Sequence, residues 1–94
     1  MSAPAPTVVR MNGELTIQTA AEHLADLRTA LASPGPLEVN LGEVTELDTA
    51  GLQVLLAIRA EAARSGKEFR LANCSPTVLE VLEIAGVTTD AGKS

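Results

Sequence analysis

Apolar positions recur along the chain with two periods, and the changes of period mark out its elements. Thr7 to Met11 reads as a short strand. Asn12-Gly13 follows, a pair that tolerates the positive φ of a tight hairpin turn, so Glu14 to Ile17 is predicted to return as a second strand with Leu15 and Ile17 on its buried face. Thr19 to Glu22 has the spacing of a capping box. Ala20, Leu24, Leu27 and Leu31 then recur at helical spacing, which predicts an amphipathic helix of about four turns. Ser33-Pro34-Gly35-Pro36 stops it, because two prolines and a glycine cannot continue a helix.

Leu37, Val39 and Leu41 share one face of the next strand, and Gly42 to Thr45 reads as a connection, with Leu47 at the junction to a helix. That second helix is predicted from Asp48-Thr49 to about Ser65, with Gly66 as its left-handed terminating residue. Phe69 to Ala72 is a strand. Ser75-Pro76 opens a third helix, serine as cap and proline at the first helical position; Val78, Leu79, Val81, Leu82 and Ala85 supply its apolar side, and Gly86 ends it. The order is β-β-α-β-α-β-α. Strand–helix–strand units imply right-handed crossovers and at least partly parallel pairing. The expectation is an α/β domain over residues 7–87: a mixed sheet of about four strands with helices mainly on one face. Residues 1–6 read as a flexible lead-in and 88–94 as a frayed tail.

Composition narrows what such a domain can do. With 94 residues there is room for one modest core, and Phe69 is its only aromatic residue, so that core is aliphatic. The net charge is −5 and no Lys/Arg cluster occurs, which argues against a nucleic-acid backbone or an anionic membrane surface as a partner. A basic or mixed-charge protein fits better. No apolar run approaches the roughly 18 residues needed to span a bilayer, and Met1 to Pro6 lacks the features of a signal peptide, so a cytoplasmic location is expected.

The side chains that could carry chemistry are few. Cys74 stands alone, which excludes an internal disulfide or a cysteine-based metal site, and it reads as a small apolar residue. His23 is the only histidine and reads as a helix-surface residue, so neither a metal shell nor a Ser/His/Asp triad can be assembled on it. Gly51 lacks the companions of a phosphate loop. The acidic pairs Glu43/Glu46 and Glu80/Glu83 read as solvated faces. These observations predict no catalytic residues, no metal and no cofactor, which disfavours an enzyme.

The informative stretch is Leu37 to Leu56, LEVNLGEVTELDTAGLQVLL. Asp48-Thr49 precedes a helix, where a side-chain oxygen can accept from the free amides of the first turn. A hydroxyl there is also a favourable place for a phosphate, because the same amides and the helix dipole stabilise added negative charge. Phosphorylation adds about −1.5 to −2 charges at neutral pH, enough to spoil a docked interface without unfolding the domain.

This stretch resembles the signature of the STAS domain, named for sulfate transporters and anti-sigma factor antagonists. The resemblance extends to Gly13-Glu14-Leu15 in the opening strands and to the closing segment Phe69 to Pro76 with its helix. It implies a partner-switching protein of the anti-sigma factor antagonist type, cytoplasmic and bacterial. Such a protein binds an anti-sigma factor that is also a serine/threonine kinase of the GHKL type. Phosphorylation in this loop abolishes binding, and an opposing phosphatase restores it. In the family the acceptor occupies one of the two positions between the Asp and the Gly. Here these are Thr49 and Ala50, so Thr49 alone can accept phosphate. Ala50 is a departure, because a branch that modifies the position before the glycine could not be switched here. The DTAGL form is also similar to small STAS subunits of lipid-transport ABC complexes, where the threonine looks like a contact for the ATPase subunit, and to STAS adaptors beside chemotaxis and two-component kinases.

Asp48, Thr49, Ala50, Gly51, Gln53, Val54, Ile58 and Arg59 are therefore the candidate partner-binding residues. Asp48 caps and orients the loop, and Gly51 permits close backbone approach. On a helical projection, Leu52, Leu56, Ala60 and Ala63 form one stripe, while Val54, Leu55, Ile58 and Ala62 form another, with Arg59 between them. Leu52 and Leu56 are expected to anchor the helix to the sheet. The stripe with Val54 and Ile58 is expected to help form a partner surface rimmed by Arg59.

Overall fold

A computed structural model describes residues 5–87. Most of the expected lead-in and the whole expected tail, residues 88–94, lie outside the described residues. The elements are β1 (Thr7–Leu15), α1 (Ala20–Leu31), β2 (Leu37–Leu47), α2 (Thr49–Arg64), β3 (Phe69–Ala72) and α3 (Pro76–Ile84). The three strands lie in the order β1-β2-β3, and both pairings are parallel. Alternation along β2 buries Leu37, Val39 and Leu41, which join Leu71 and the inward side chains of α1 and α2 in one core. Val8 and the Glu38–Arg70 ion pair (3.7 Å) lie away from that core.

Two expectations about the strands are corrected. Asn12-Gly13 does not make a hairpin. Gly13 does adopt a positive φ of 73°, but β1 runs on through it and stays parallel to β2, with register irregularities between Arg10 and Asn12 and between Gly13 and Glu14. Across each one, β2 advances one residue more than β1, so the twist is taken up by bulging of the partner strand. Gly42 to Thr45 is accordingly strand, not connection, and β2 reaches Leu47. Leu15, the last residue of β1, is fully buried, and its carbonyl accepts from the amide of Asp48 at 3.3 Å. Leu15 therefore docks beside the start of α2, where a hairpin would have carried it back along β1. The sheet has three described strands, one fewer than expected.

The capping box at Thr19 is also absent. Its hydroxyl turns back to donate to the Glu14 carbonyl at 2.9 Å and to accept from the amide of Thr16 at 3.1 Å, so it closes the turn before α1 and leaves the helix amides uncapped. Helix α1 has 12 residues, about three turns.

The other helix ends follow the sequence. Gly66 (φ 69°) terminates α2: its amide bonds the Ala63 carbonyl and the Lys67 amide bonds that of Ala62, the paired bonds of a Schellman motif. Gly86 repeats the arrangement after α3. Ser75 caps α3 by accepting from the amide of Val78, and its hydroxyl donates to the Val44 carbonyl at 2.8 Å, tying α3 to the far half of β2.

Candidate functional site

Helix α2 begins where β2 ends, and the two are joined by the single residue Asp48. The Asp48 carboxylate accepts two amides from different elements: Oδ1 takes the Gly51 amide of the first helical turn, and Oδ2 takes the Ile17 amide of the β1–α1 turn, both at 3.0 Å. It thus caps α2 and staples the two chain turns together. These amides, Gly51 first and Ile17 second, hold its carboxyl below the usual carboxylate range. The group therefore adds stability that is fully present above the ordinary value of about 4 and is lost as pH falls through its lower folded value. As pH falls below about 4, Asp48→Asn is expected to lose fewer degrees of melting temperature than the wild-type protein. Thermal scans of the two proteins across that window check this; parallel slopes would remove the staple as a source of acid sensitivity.

Gly51 lies at a close contact between α2 and the sheet. A Cβ there would collide with the Leu15 carbonyl oxygen and would sit 2.8 Å from both the Leu15 carbonyl carbon and Leu47 Cδ1. This contact fixes the rotation of α2. The residues in phase with Gly51 (Val54, Leu55, Ile58 and Ala62) must face the core, and all four are buried. The expected assignment of the two stripes is therefore reversed. Ile58, fully buried, cannot meet a partner, and Val54 retains only 6% exposure. Leu56 does not anchor the helix but stands 37% exposed, and Leu52 is half-buried.

Thr49, in the first turn of α2, is exposed, and its hydroxyl makes no hydrogen bond to another described residue. Gln53, one turn on, is exposed beside it, and Ala50 is half-buried. Arg59 is exposed but is not gathered to this place. It lies ten residues and about 15 Å along α2 from Thr49, and about 140° around the helix from Val54. So Asp48, Thr49, Ala50, Gly51, Gln53 and Val54 come together; Ile58 and Arg59 do not join them. Ile17, which sequence reasoning placed on a buried strand face, instead tops the β1–α1 turn with 73% exposure, directly over the Asp48 staple.

Comparison with known proteins shows the family. The family model described as "Mlab, STAS domain" matches residues 2–89. The chain belongs to the STAS domain family. Among solved structures, this STAS domain resembles the anti-sigma factor antagonist SpoIIAA in its unphosphorylated form (TM-score 0.75, 25% identity, 93% of this chain and 77% of that one). It also resembles a sulfate transporter family protein from Wolinella succinogenes (TM-score 0.74, 17% identity, 92% and 71%). A third likeness is to the STAS domain of a SulP transporter from Vibrio cholerae (TM-score 0.67, 20% identity, 90% and 67%). STAS domains are in general non-catalytic binding modules.

Other polar groups of this STAS domain serve its architecture. His23 Nε2 lies 3.1 Å from the Glu14 carbonyl, so the ring braces the β1–α1 turn. Burial pushes the Cys74 thiol up, the opposite of what a reactive thiolate needs. No group of three or more His, Cys, Asp or Glu among the described residues could hold a metal ion, and no described helix is long and apolar enough to cross a membrane.

Proposed function

We propose that this STAS domain is a phosphorylation-switched protein-binding module, an antagonist of an anti-sigma factor that is also a kinase, with Thr49 as the switch. The observation that carries this reading is an exposed, unbonded hydroxyl at the start of α2, on a turn that Asp48 and Gly51 hold rigid without its help. Modification there can change the surface and leave the fold alone. In the step itself Thr49 Oγ1 attacks the γ-phosphorus of ATP. The bond to the β-phosphate oxygen breaks, ADP leaves, and the hydroxyl proton passes to solvent. The docking face comprises Thr49, Gln53 and Leu56, exposed together on α2, with Ile17 beside them. A dianion at Thr49 keeps its water, and closing an interface over it requires stripping that water away. The likeness to SpoIIAA, described as an anti-sigma factor antagonist in an unphosphorylated form, supports the same reading.

The test uses the wild-type chain, Thr49→Ala and Thr49→Glu. Wild type incubated with the cognate kinase and ATP is expected to gain the mass of one phosphate, and Thr49→Ala none. Thr49→Glu is expected to bind the partner at least tenfold more weakly with an unchanged melting temperature. Equal binding by Thr49→Glu and wild type removes the switch.

A second reading is favoured by the description of the matched family, "Mlab, STAS domain", and by the alanine before Gly51. In it the same face holds the ATPase subunit of a lipid-transport ABC complex permanently, and Thr49 is a contact. That protein would co-purify with its ATPase in fixed ratio and gain no mass.

A further inference from the structure

Helices α1 and α2 are joined at both ends. At their starts Asp48 takes the Ile17 amide. At their far ends Arg28 makes a two-point ion pair with Glu61, with Nη2 at 2.7 Å and Nε at 3.1 Å from Oε2. Start meets start and end meets end, so the two helices run side by side in the same direction. Between these ties an open, shallow groove runs along the surface where the two helices meet. One wall carries Ala21 and Leu24, the other Ala50, Val54 and Ala57, and Ile17 stands at the mouth. Alanines leave the groove unfilled where a self-contained helix pair would interlock larger side chains. Its mouth adjoins Thr49, since Ala50 follows Thr49 and Gln53, also lining the groove, lies one turn on.

Charge says what kind of chain would fill it. From residue 11 to 27, and again from 29 to 58, there is no lysine or arginine. Those segments carry Glu14, Glu22, Glu46 and Asp48 at the end of the molecule where both helices start. The mouth is therefore apolar and set in a surface rich in acidic groups, and Arg28, toward the far ends of the helices, is paired with Glu61.

We infer that this groove docks an amphipathic helix of the partner, with apolar side chains at i, i+3/i+4 and i+7 in the groove and lysine or arginine over the acidic end. The lining itself has that period: Ala50, Val54 and Ala57 succeed one another by four and three residues on one wall. The acidic field speeds encounter with a basic helix, while the apolar side chains seated in the groove set how long it stays. This rests on the docking face proposed above and names its partner's chemistry. A hydrated phosphate at Thr49 would stand in the mouth. It would eject the seated side chain while leaving the long-range attraction intact, so loss of affinity appears in the off-rate.

The probe is a synthetic fluorescent peptide of about four helical turns, leucine at i, i+4 and i+7 and lysine on its flanks. Controls are the same leucines with glutamate flanks, and a scramble of the basic sequence. Binding to the full chain is followed by anisotropy and by amide chemical shifts. The basic peptide is expected to bind at least tenfold more tightly than either control, to weaken with salt, and to shift Ile17, Ala21, Leu24 and Ala57. Ala21→Leu fills the groove from an exposed position and is expected to weaken the peptide at least tenfold with an unchanged melting temperature. Equal binding of the three peptides, no binding, shifts centred on α3 or β1, or indifference to Ala21→Leu each overturns the inference. So do shifts of the same residues on concentrating the protein alone, which would put a second copy in the groove. No kinase enters this experiment, so its failure leaves the Thr49 switch untouched; a peptide that binds as inferred does not rescue a switch that Thr49→Glu has disproved.

Discussion

Gly51→Ala is expected to lower the melting temperature by roughly 10 °C, a net loss of about 2 kcal/mol in a domain of this size. In an open helix the same change would be favourable by about 1 kcal/mol, because alanine is the better helix former. Here the methyl group enters the Leu15 carbonyl oxygen, with the Leu15 carbonyl carbon and Leu47 Cδ1 close behind. Two of those three obstacles are backbone, at the buried end of β1, and cannot rotate away. The helix must lift, at an overpacking cost of about 3 kcal/mol that exceeds the gain in propensity. Lifting also lengthens the Asp48 amide bond to the Leu15 carbonyl. The control is Ala50→Gly, one residue earlier and half-buried, which is expected to lose only about 1 kcal/mol. Thermal denaturation of both variants decides the matter: a Gly51→Ala protein as stable as wild type would mean that α2 does not bear on β1.

The close approach at Gly51 also shows how far the sequence is legible. Helix ends were readable because their signals are local: serine before proline at α3, aspartate three residues before the Gly51 amide it caps, glycine in left-handed geometry after α2 and α3. Each is decided within about five residues. Asn12-Gly13 and Thr19 misled for the opposite reason. An Asn-Gly pair tolerates a positive φ, and Gly13 adopts one, but whether the chain then reverses depends on where Leu15 finds its core, which is settled by β2 and α2 more than thirty residues away. Likewise the Thr19 hydroxyl had two bonding choices, and the Glu14 carbonyl, brought near by the turn, took it.

At the site, the capped start of α2 was readable and the exposed face of the helix was not. Asp48, Thr49 and Gly51 announce themselves by residue type at a helix start. The two stripes of α2 differ little in apolar content, so periodicity alone could not rank them. The deciding fact was the phase of Gly51, since a residue with no side chain in the first turn marks the side pressed against the sheet. Counting from it by helical turns selects Val54, Leu55, Ile58 and Ala62 as core, so the signal is present in the sequence. Ile17 carried no such signal, because its exposure follows from the absent hairpin.

The phase of Gly51 on α2 sets up a crossed pair of outcomes. Ile58→Ala is expected to cost about 2–5 kcal/mol, since a fully buried branched side chain leaves a cavity that α2, held at Asp48 and Gly51, cannot close. Measured well below its melting temperature, however, this variant is expected to bind the partner with wild-type affinity, because Ile58 reaches no surface. Leu56→Ala is expected to do the reverse: under about 1 kcal/mol of stability, because the side chain is already more than one-third exposed, but a several-fold loss of partner affinity, because Leu56 shares the exposed face of Thr49 and Gln53. Thermal denaturation and a binding titration on the two variants give four numbers. If instead Ile58→Ala weakens binding and spares stability, α2 is rotated by nearly half a turn from the orientation described. Gly51 would then no longer touch Leu15, and the turn carrying Thr49 would have lost the contact that holds it rigid.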